Sequence, residues 1–481
     1  MEGKQKPHFL LVTFPAQGHI NPALQFAKRL LRARAHITFS TSISGKRCLD
    51  KANVPDGLEF DPFSDGHDDG FQPSDGDVIT YMSKFKQSGS NSLGQLFERS
   101  RADGKQVTCC VYTLLLPWAA EVARVYHVPS ALLWIQPASV FDVYYYYFRG
   151  YGDVIKECEN NPSWLLELPN LPFTLKARDL PSFLLPSAPL PYKFALPTFL
   201  VQIEELEKED TPTILVNTFD ELEVDALKAM KRFTLIPVGP LLPSSFLNER
   251  DPSDKLSSGD LFQKSKEKDY MRWLDSQNES SVVYVSFGSM SVLSGPQQEE
   301  LARALITTHT PFLWVIREKD NKDKEEKQNE NIDEGDRLSC MNDLITHQGM
   351  IVPWCSQVDV LCHPSVRCFV THCGWNSTLE SITSGVPMVV FPQWTDQMTN
   401  AKLVEDVWRT GVRVQISEEE GLVKEEEIKR CLELVMESQE MKLNAKKWKE
   451  LAVQAAKDGG GSDMNLKCFI EEVASLQHTT S

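Results

Sequence analysis

Two apolar runs in the C-terminal half, Cys368-Phe-Val-Thr-His372 and Met388-Val-Val-Phe391, leave this chain few choices. Each has the β-branched and aromatic content of a buried strand. Between them Cys373 and Gly374 make a turn, and Asn376, Ser377 or Thr378 can cap a helix. That helix carries Leu379, Glu380 and Ile382 and stops at Gly385 and Pro387. Strand, tight turn, helix and strand in such quick succession form the repeating piece of a parallel sheet covered by helices. The helix N-terminus turns N–H groups toward whatever lies above the sheet and binds phosphate without a lysine.

The same alternation runs through the rest of the chain. His8–Phe14, His36–Thr41, Gly57–Phe63, Cys109–Tyr112, Ala131–Ile135, Thr213–Thr218 and Leu235–Val238 read as strands. Helices at Pro22–Ala35, Tyr81–Arg101 and Trp118–Tyr126 separate them. Ser281–Ser289 opens a second set, followed by a helix over Gln297–Thr307 and a strand over Phe312–Ile316. Beyond Phe391 come elements at Asn400–Thr410, Val412–Ile416, Glu425–Met436 and Met441–Lys457, then a Gly459–Gly461 hinge and a last helix, Met464–Leu476. A length of 481 residues exceeds one ordinary core. The expected fold is α/β, with a first domain over 1–242, a Ser-, Asp- and Lys-rich linker over 243–269, a second domain over 270–460 and a C-terminal helix within 461–481. Glu318–Asp336 is charged without apolar period and reads as a solvated loop. Ligands on doubly wound sheets bind at the carboxyl ends of the strands.

Composition bounds the partners. A net charge of −17 speaks against nucleic acid and against an anionic membrane surface. No run approaches the ~20 apolar residues of a membrane span, and His8–Phe14 lacks the cleavage site of a signal peptide. Eleven cysteines without a C-x-x-C pair read as reduced thiols. The expectation is a cytoplasmic monomer.

The stretch from Trp354 to Gln397 carries chemistry as well as fold. It has an opening Trp, a central His-Cys-Gly-Trp-Asn-Ser run, a Glu three residues later and a closing Asp-Gln. In length and in each of these residues it resembles the donor-binding signature of plant family 1 UDP-glycosyltransferases. The resemblance implies a GT-B fold, two facing Rossmann-like domains with parallel sheets and a deep cleft, with UDP-glucose as co-substrate and no metal. It further implies that Trp354 stacks on uracil, that the Cys355 backbone pairs with the uracil edge, and that Gln357 and Glu380 lie near the ribose. A carboxylate there accepts two sugar hydroxyls. His372, Asn376, Ser377 and Ser289 would approach the pyrophosphate beside the turn at Gly374, stabilising the charge that grows on departing UDP. Trp375, Asp396 and Gln397 would meet the sugar, Gln397 being the family's usual choice for glucose. Trp394, Cys373 and Thr378 read as packing.

Pro15-Ala-Gln-Gly-His-Ile-Asn-Pro22 comes directly after the first strand, so His19 sits in a strand-to-helix loop with Gly18 giving the backbone room. It matches the family's general base, and an imidazole titrating near ~6.5 suits that work. Many family members end the fourth strand in an Asp that orients this His; here Thr113 stands in that place. A hydroxyl can orient an imidazole but cannot stabilise an imidazolium by charge. Thr113 and the aromatic run Phe141–Phe148 resemble a narrower branch, that of anthocyanin 5-O-glucosyltransferases and of enzymes making glucose esters of indole-acetic acid, abscisic acid and crocetin. The implied activity is inverting, UDP-glucose-dependent O-glucosylation of a small plant metabolite. The product is a β-glucose ester of a carboxylic acid or a β-glucoside of a flavonoid, anthocyanin or phenolic hydroxyl. Thr113 tilts the acceptor toward a carboxylate, already ionised near neutrality.

Tyr144, Tyr145 and Phe148 suit a pocket for a small apolar or aromatic acceptor, although such rings equally pack a core. Two readings of other classes are weaker. A UDP-sugar-binding protein without turnover has no use for His19, and a dinucleotide oxidoreductase lacks G-x-G-x-x-G after the first strand. Asp65-Gly-His-Asp-Asp69 and Asp75-Gly-Asp77 resemble metal-binding loops but read as solvated acidic loops.

Overall fold

A computed structural model describes residues 6–49, 55–72, 77–161, 163–187, 194–247, 269–317, 348–417 and 419–476. Most of the 243–269 stretch, the whole of 318–336, and Asp75 lie outside the described residues. The chain divides into two compact units, Met1–Leu256 with Ala452–Ser481, and Ser257–Leu451.

The first unit is built on strands β1 His8–Val12, β2 His36–Ser40, β3 Leu58–Phe60, β4 Cys109–Thr113, β5 Ser130–Trp134, β6 Thr213–Val216 and β7 Thr234–Pro237. They form one parallel sheet in the order β3-β2-β1-β4-β5-β6-β7. β1 and β4 are buried along their whole length, which is why they read as unbroken apolar runs rather than alternating ones. The strand order reverses between β1 and β4, and their register pairs Val12 with Tyr112. The segments leaving the carboxyl ends of these two strands therefore emerge side by side.

The first helix spans Gln17–Arg32 and starts five residues before the Pro22 that marks its expected beginning. A proline this close to a helix start forfeits one ladder bond, to the Gly18 carbonyl. Burial of Ile20, Ala23, Leu24, Phe26, Ala27 and Leu30 on one face outweighs that loss. His19 consequently lies in the first helical turn, not in a loop. The helix Gly461–Leu476 also belongs to this unit: Phe469 packs on Phe9 with ring centroids 5.7 Å apart, and Asn465 donates to the Pro237 carbonyl at 2.9 Å.

The second unit carries β8 Val282–Ser286, β9 Phe312–Val315, β10 Gly349–Val352, β11 Val366–Thr371, β12 Met388–Val390 and β13 Gly411–Arg413. These too are all parallel, in the order β10-β9-β8-β11-β12-β13. Val283, Val285, Phe312, Trp314, Val370 and Val389 form its core with Leu301, Leu305, Leu432 and Val435 from two helices on one face. The order reverses between β8 and β11, whose ends pair Ser286 with Thr371. Each unit thus has one crevice of the kind where open parallel sheets bind ligands.

Candidate active site

In the second unit, β11 runs into His372, Cys373 and Gly374 before the helix Trp375–Ser384. Cys373 is held at φ +63°, a left-handed conformation costly for a residue with a Cβ. Gly374 is the N-cap, and no side chain caps the helix. Asn376, Ser377 and Thr378 therefore lie inside the helix, correcting their expected capping role. At the far end Gly385, at φ +76°, closes the helix as expected.

The His372 imidazole is gripped by two glycines. A Cβ on Gly374 would lie 2.5 Å from its Nε2, and one on Gly288, in the turn after β8, 2.6 Å from its Cε1. Ser289 is the next residue after Gly288, so the turns after β8 and β11 meet around this ring at the reversal point. Its Nδ1 is buried without a hydrogen-bond partner. Burial, and then the charge of Arg317, pushes the His372 pKa down to about 4. Arg317, just beyond β9, donates to the carbonyls of Ser289 and of Ser291, the latter at 2.8 Å.

Toward the other end of the signature, Ser356 caps the short helix Gln357–Leu361. The Gln357 amide donates to Ser377 Oγ at 3.0 Å and to Glu380, and its carbonyl accepts from Tyr284 at 3.1 Å. Glu380, 3% exposed, is thereby fixed in orientation. Tyr284 also meets the Cys355 thiol at 3.4 Å and stacks on Phe369. Trp354 is half-buried beside buried Cys355. Trp375 is 4% exposed, with its ring packed on Trp408, so it is core as much as site.

The closing Asp-Gln is braced from within. Asp396 accepts from Thr395 and, at 2.8 Å, from Asn400, whose amide also donates to the Cys373 carbonyl at 2.9 Å. Asn400, a residue with no role on sequence grounds, thus ties the strained turn to the end of the signature. Gln397 uses its carbonyl oxygen to accept from the N–H groups of Gln393 and Trp394, at 2.8 and 3.2 Å. Only its amide nitrogen is left for a ligand.

In the first unit, His19 and Thr113 meet at the β1/β4 reversal. His19 Nδ1 lies 3.4 Å from Thr113 Oγ1, and the ring packs beside Phe14 at 5.4 Å. Thr113 is fully buried, accepts from the Phe14 N–H and donates to Thr13, both at 3.4 Å. A hydroxyl has one proton. With that proton directed to Thr13, the bond to His19 requires Nδ1 to carry hydrogen, which leaves Nε2 as the lone-pair nitrogen. Burial pushes the His19 pKa down to about 3, and among the described residues no carboxylate opposes it.

Tyr144 is 1% exposed and stacked on Phe199 with centroids 4.3 Å apart, so its ring is core rather than pocket wall. Tyr145 and Phe148 are half-buried, against Phe233 and Tyr147. Asp65 is not solvated: it is 1% exposed, accepting from the His67 N–H at 2.9 Å and from Tyr81 at 3.1 Å. Asp77 caps the helix Val78–Ala102 by accepting from Thr80. Among the described residues no three His, Cys, Asp or Glu side chains gather as a metal site would need.

Comparison with known proteins agrees with this geometry. Residues 257–453 match the family model of "UDP-glucoronosyl and UDP-glucosyl transferase". The chain is 56% identical to a chloroplastic crocetin glucosyltransferase of Gardenia jasminoides, covering 97% of this chain and 98% of that protein. It is 49% identical to an anthocyanidin 3-O-glucoside 5-O-glucosyltransferase of Verbena hybrida, covering 98% and 100%. The crystal structure of Os79 from O. sativa in complex with UDP superposes with a TM-score of 0.80 at 32% identity, over 97% of this chain and all of that one. With full-length identity at that level, and with the signature gathered about one open helix N-terminus, the chain belongs to the plant family 1 UDP-glycosyltransferases and has their GT-B fold.

Proposed function

We propose that this enzyme transfers glucose from UDP-glucose to an oxygen of a small plant metabolite, with inversion at the anomeric carbon. The first unit takes the acceptor and the second the donor. His19 Nε2 accepts the acceptor's proton as its oxygen attacks C1 of glucose. The C1–O bond to the diphosphate breaks as the new bond forms, and UDP departs with the electron pair. Helix Trp375–Ser384 and His372 stabilise that departing charge, Glu380 and Gln357 hold the ribose, Trp354 and Cys355 hold uracil, and Asp396 with the Gln397 amide holds glucose. No metal takes part in this scheme. The observation that carries the reading is the His19–Thr113 contact at the reversal of the first sheet, the tautomer with Nδ1–H toward Thr113 being the one that offers Nε2 as the base. The names of the relatives, crocetin and anthocyanidin 3-O-glucoside, support a small apolar or aromatic acceptor.

The test is UDP release in a coupled assay with a panel of phenolic and carboxylic acceptors, run without added metal and with chelator. His19→Ala should lower turnover by roughly 10²–10⁴ while UDP affinity stays near normal. A variant that keeps most of its activity on a hydroxyl acceptor would remove His19 from the mechanism. We place the protein in the cytoplasm as a monomer. Among the described residues no helix is long and apolar enough to cross a membrane, but one relative is named chloroplastic, so a fluorescent fusion decides the compartment.

A further inference from the structure

A diphosphate brings two to three negative charges, yet the stretch Trp354–Gln397 contains a single cationic residue, Arg367. That residue is exposed and donates to the Met436 carbonyl. A helix end alone leaves the developing charge on UDP only partly met, since a helix N-terminus supplies about half an elementary charge. A cation whose charge reaches the His372 ring comes from outside the signature. Arg317 lines a hollow with Ser286, Gly288, Ser291, Gln298 and Trp314 at the ends of β8 and β9. Gly288 is the residue pressed against the His372 ring, and the Arg317 charge is felt at that ring. The Ser291 hydroxyl is buried there without a hydrogen-bond partner.

We propose that Arg317 is a positioning residue of the donor site, its guanidinium fixing the Gly288–Ser291 turn against His372 and supplying the positive field that holds the diphosphate and stabilises it as it leaves. The proposal rests on the donor-site reading of Trp354–Gln397. The guanidinium fork reaches two alternate carbonyls, those of Ser289 and Ser291, a hold that a single ammonium cannot reproduce. Each carbonyl drawn toward Arg317 turns the N–H of the same peptide the opposite way. The N–H groups of Met290 and Val292 therefore point away from the guanidinium. The charge acts a second time on His372. Among the described residues, Arg317 is the one whose charge reaches the imidazole. The carboxylate of Glu380 is held by Gln357, that of Asp396 by Thr395 and Asn400, while Arg413 donates to the Met398 carbonyl.

The experiment uses the full chain as wild type, Arg317→Met, Arg317→Lys and His372→Ala. UDP affinity is measured by calorimetry at pH 7.5 and 5.5, and kcat and KM are measured for both substrates. Arg317→Met should weaken UDP about tenfold at pH 7.5, the worth of one hydrogen-bonded charge. It should lower kcat as well, with the acceptor KM unchanged. Arg317→Lys, keeping charge without the fork, should fall between. The ratio of variant to wild-type Kd, in which the titration of UDP itself cancels, should shrink at pH 5.5 for Arg317→Met. There His372 gains a proton more readily once the neighbouring cation is gone. A purely structural arginine would not move that ratio with pH. If His372→Ala weakens UDP but both Arg317 variants bind it within twofold of wild type, the proposal is wrong and the donor site stands. If His372→Ala leaves UDP affinity intact, the donor-site reading fails and the role of Arg317 fails with it.

Discussion

Replacing Thr113 by Asp puts a carboxylate behind His19 and asks what the hydroxyl withholds. Asp is one bond longer than Thr, so its carboxyl carbon would fall near the place of the Thr113 hydroxyl oxygen, which lies 3.4 Å from Nδ1, and that distance serves for the centre of the new charge. At an effective dielectric of about 20, attraction to an imidazolium at that separation is about 5 kcal/mol. Thr113 is fully buried, so desolvating the new charge consumes several kcal/mol of that. The net is an upward shift of the His19 pKa by roughly one to three units, starting from about 3. The assay is the pH profile of kcat/KM with a phenolic and a carboxylic acceptor, thermal unfolding serving as the control for folding. In the wild type the acid limb should lie well below 6.5, because the base stays unprotonated there. In Thr113→Asp it should move up, and turnover of the phenol near neutrality should rise relative to that of the acid, which arrives already ionised. Alkali-labile products identify the ester. A wild-type limb at 6.5 or above would refute the argument, as would a limb that does not move in the variant.

Packing and burial set two further outcomes. Gly374→Ala should weaken UDP at least tenfold by calorimetry, because the new Cβ would sit 2.5 Å from His372 Nε2 and displace the ring, at a stability cost of about 1 kcal/mol. Unchanged UDP affinity would show that the imidazole position is immaterial. Asp142 is fully buried, neither carboxylate oxygen has a partner, and burial together with the charge of Glu223 raises its pKa well above that of a free aspartate. Its contribution to stability is therefore fully present below the unfolded value near ~3.9 and is lost as pH rises through the folded one. Asp142→Asn removes that slope, so the Tm advantage of the variant should grow between pH 4 and 7; a gap constant with pH would count against it.

The parts of the site that were legible in the sequence are those that carry a local signal. The β11 and β12 runs are apolar and β-branched, Gly385 needs its left-handed conformation, and both could be placed to within a residue or two. His19 could be singled out by its place after the first strand, but its helix began early because the Pro22 signal competes with a buried face that only the tertiary packing reveals. The cap was misassigned to Asn376–Thr378 because hydroxyl and amide side chains are the commoner caps, whereas here His372 leaves room for no side chain at Gly374. Tyr144 and Asp65 carried the residue types of a pocket and of a solvated loop, and the fold buried both. Arg317 and Asn400 carried no signal at all: one cation at the head of a charged run and one amide within a helix acquire meaning only when parallel pairing brings β9 and β11 to β8, or when a turn 27 positions away accepts the bond.

The contact between Phe9 and Phe469 joins residues separated by 460 positions, the difference of the two numbers. A ribosome must therefore deliver the entire second unit before the first can bury the face of β1 that Phe469 covers. Until then the nascent first unit exposes an apolar surface to chaperones and to other chains. Loop closure over such a distance is entropically costly, so this helix should dock late in folding. A nonsense codon at position 461, removing Gly461–Ser481, would leave the whole stretch Trp354–Gln397 in place and still yield a first unit with an uncovered core.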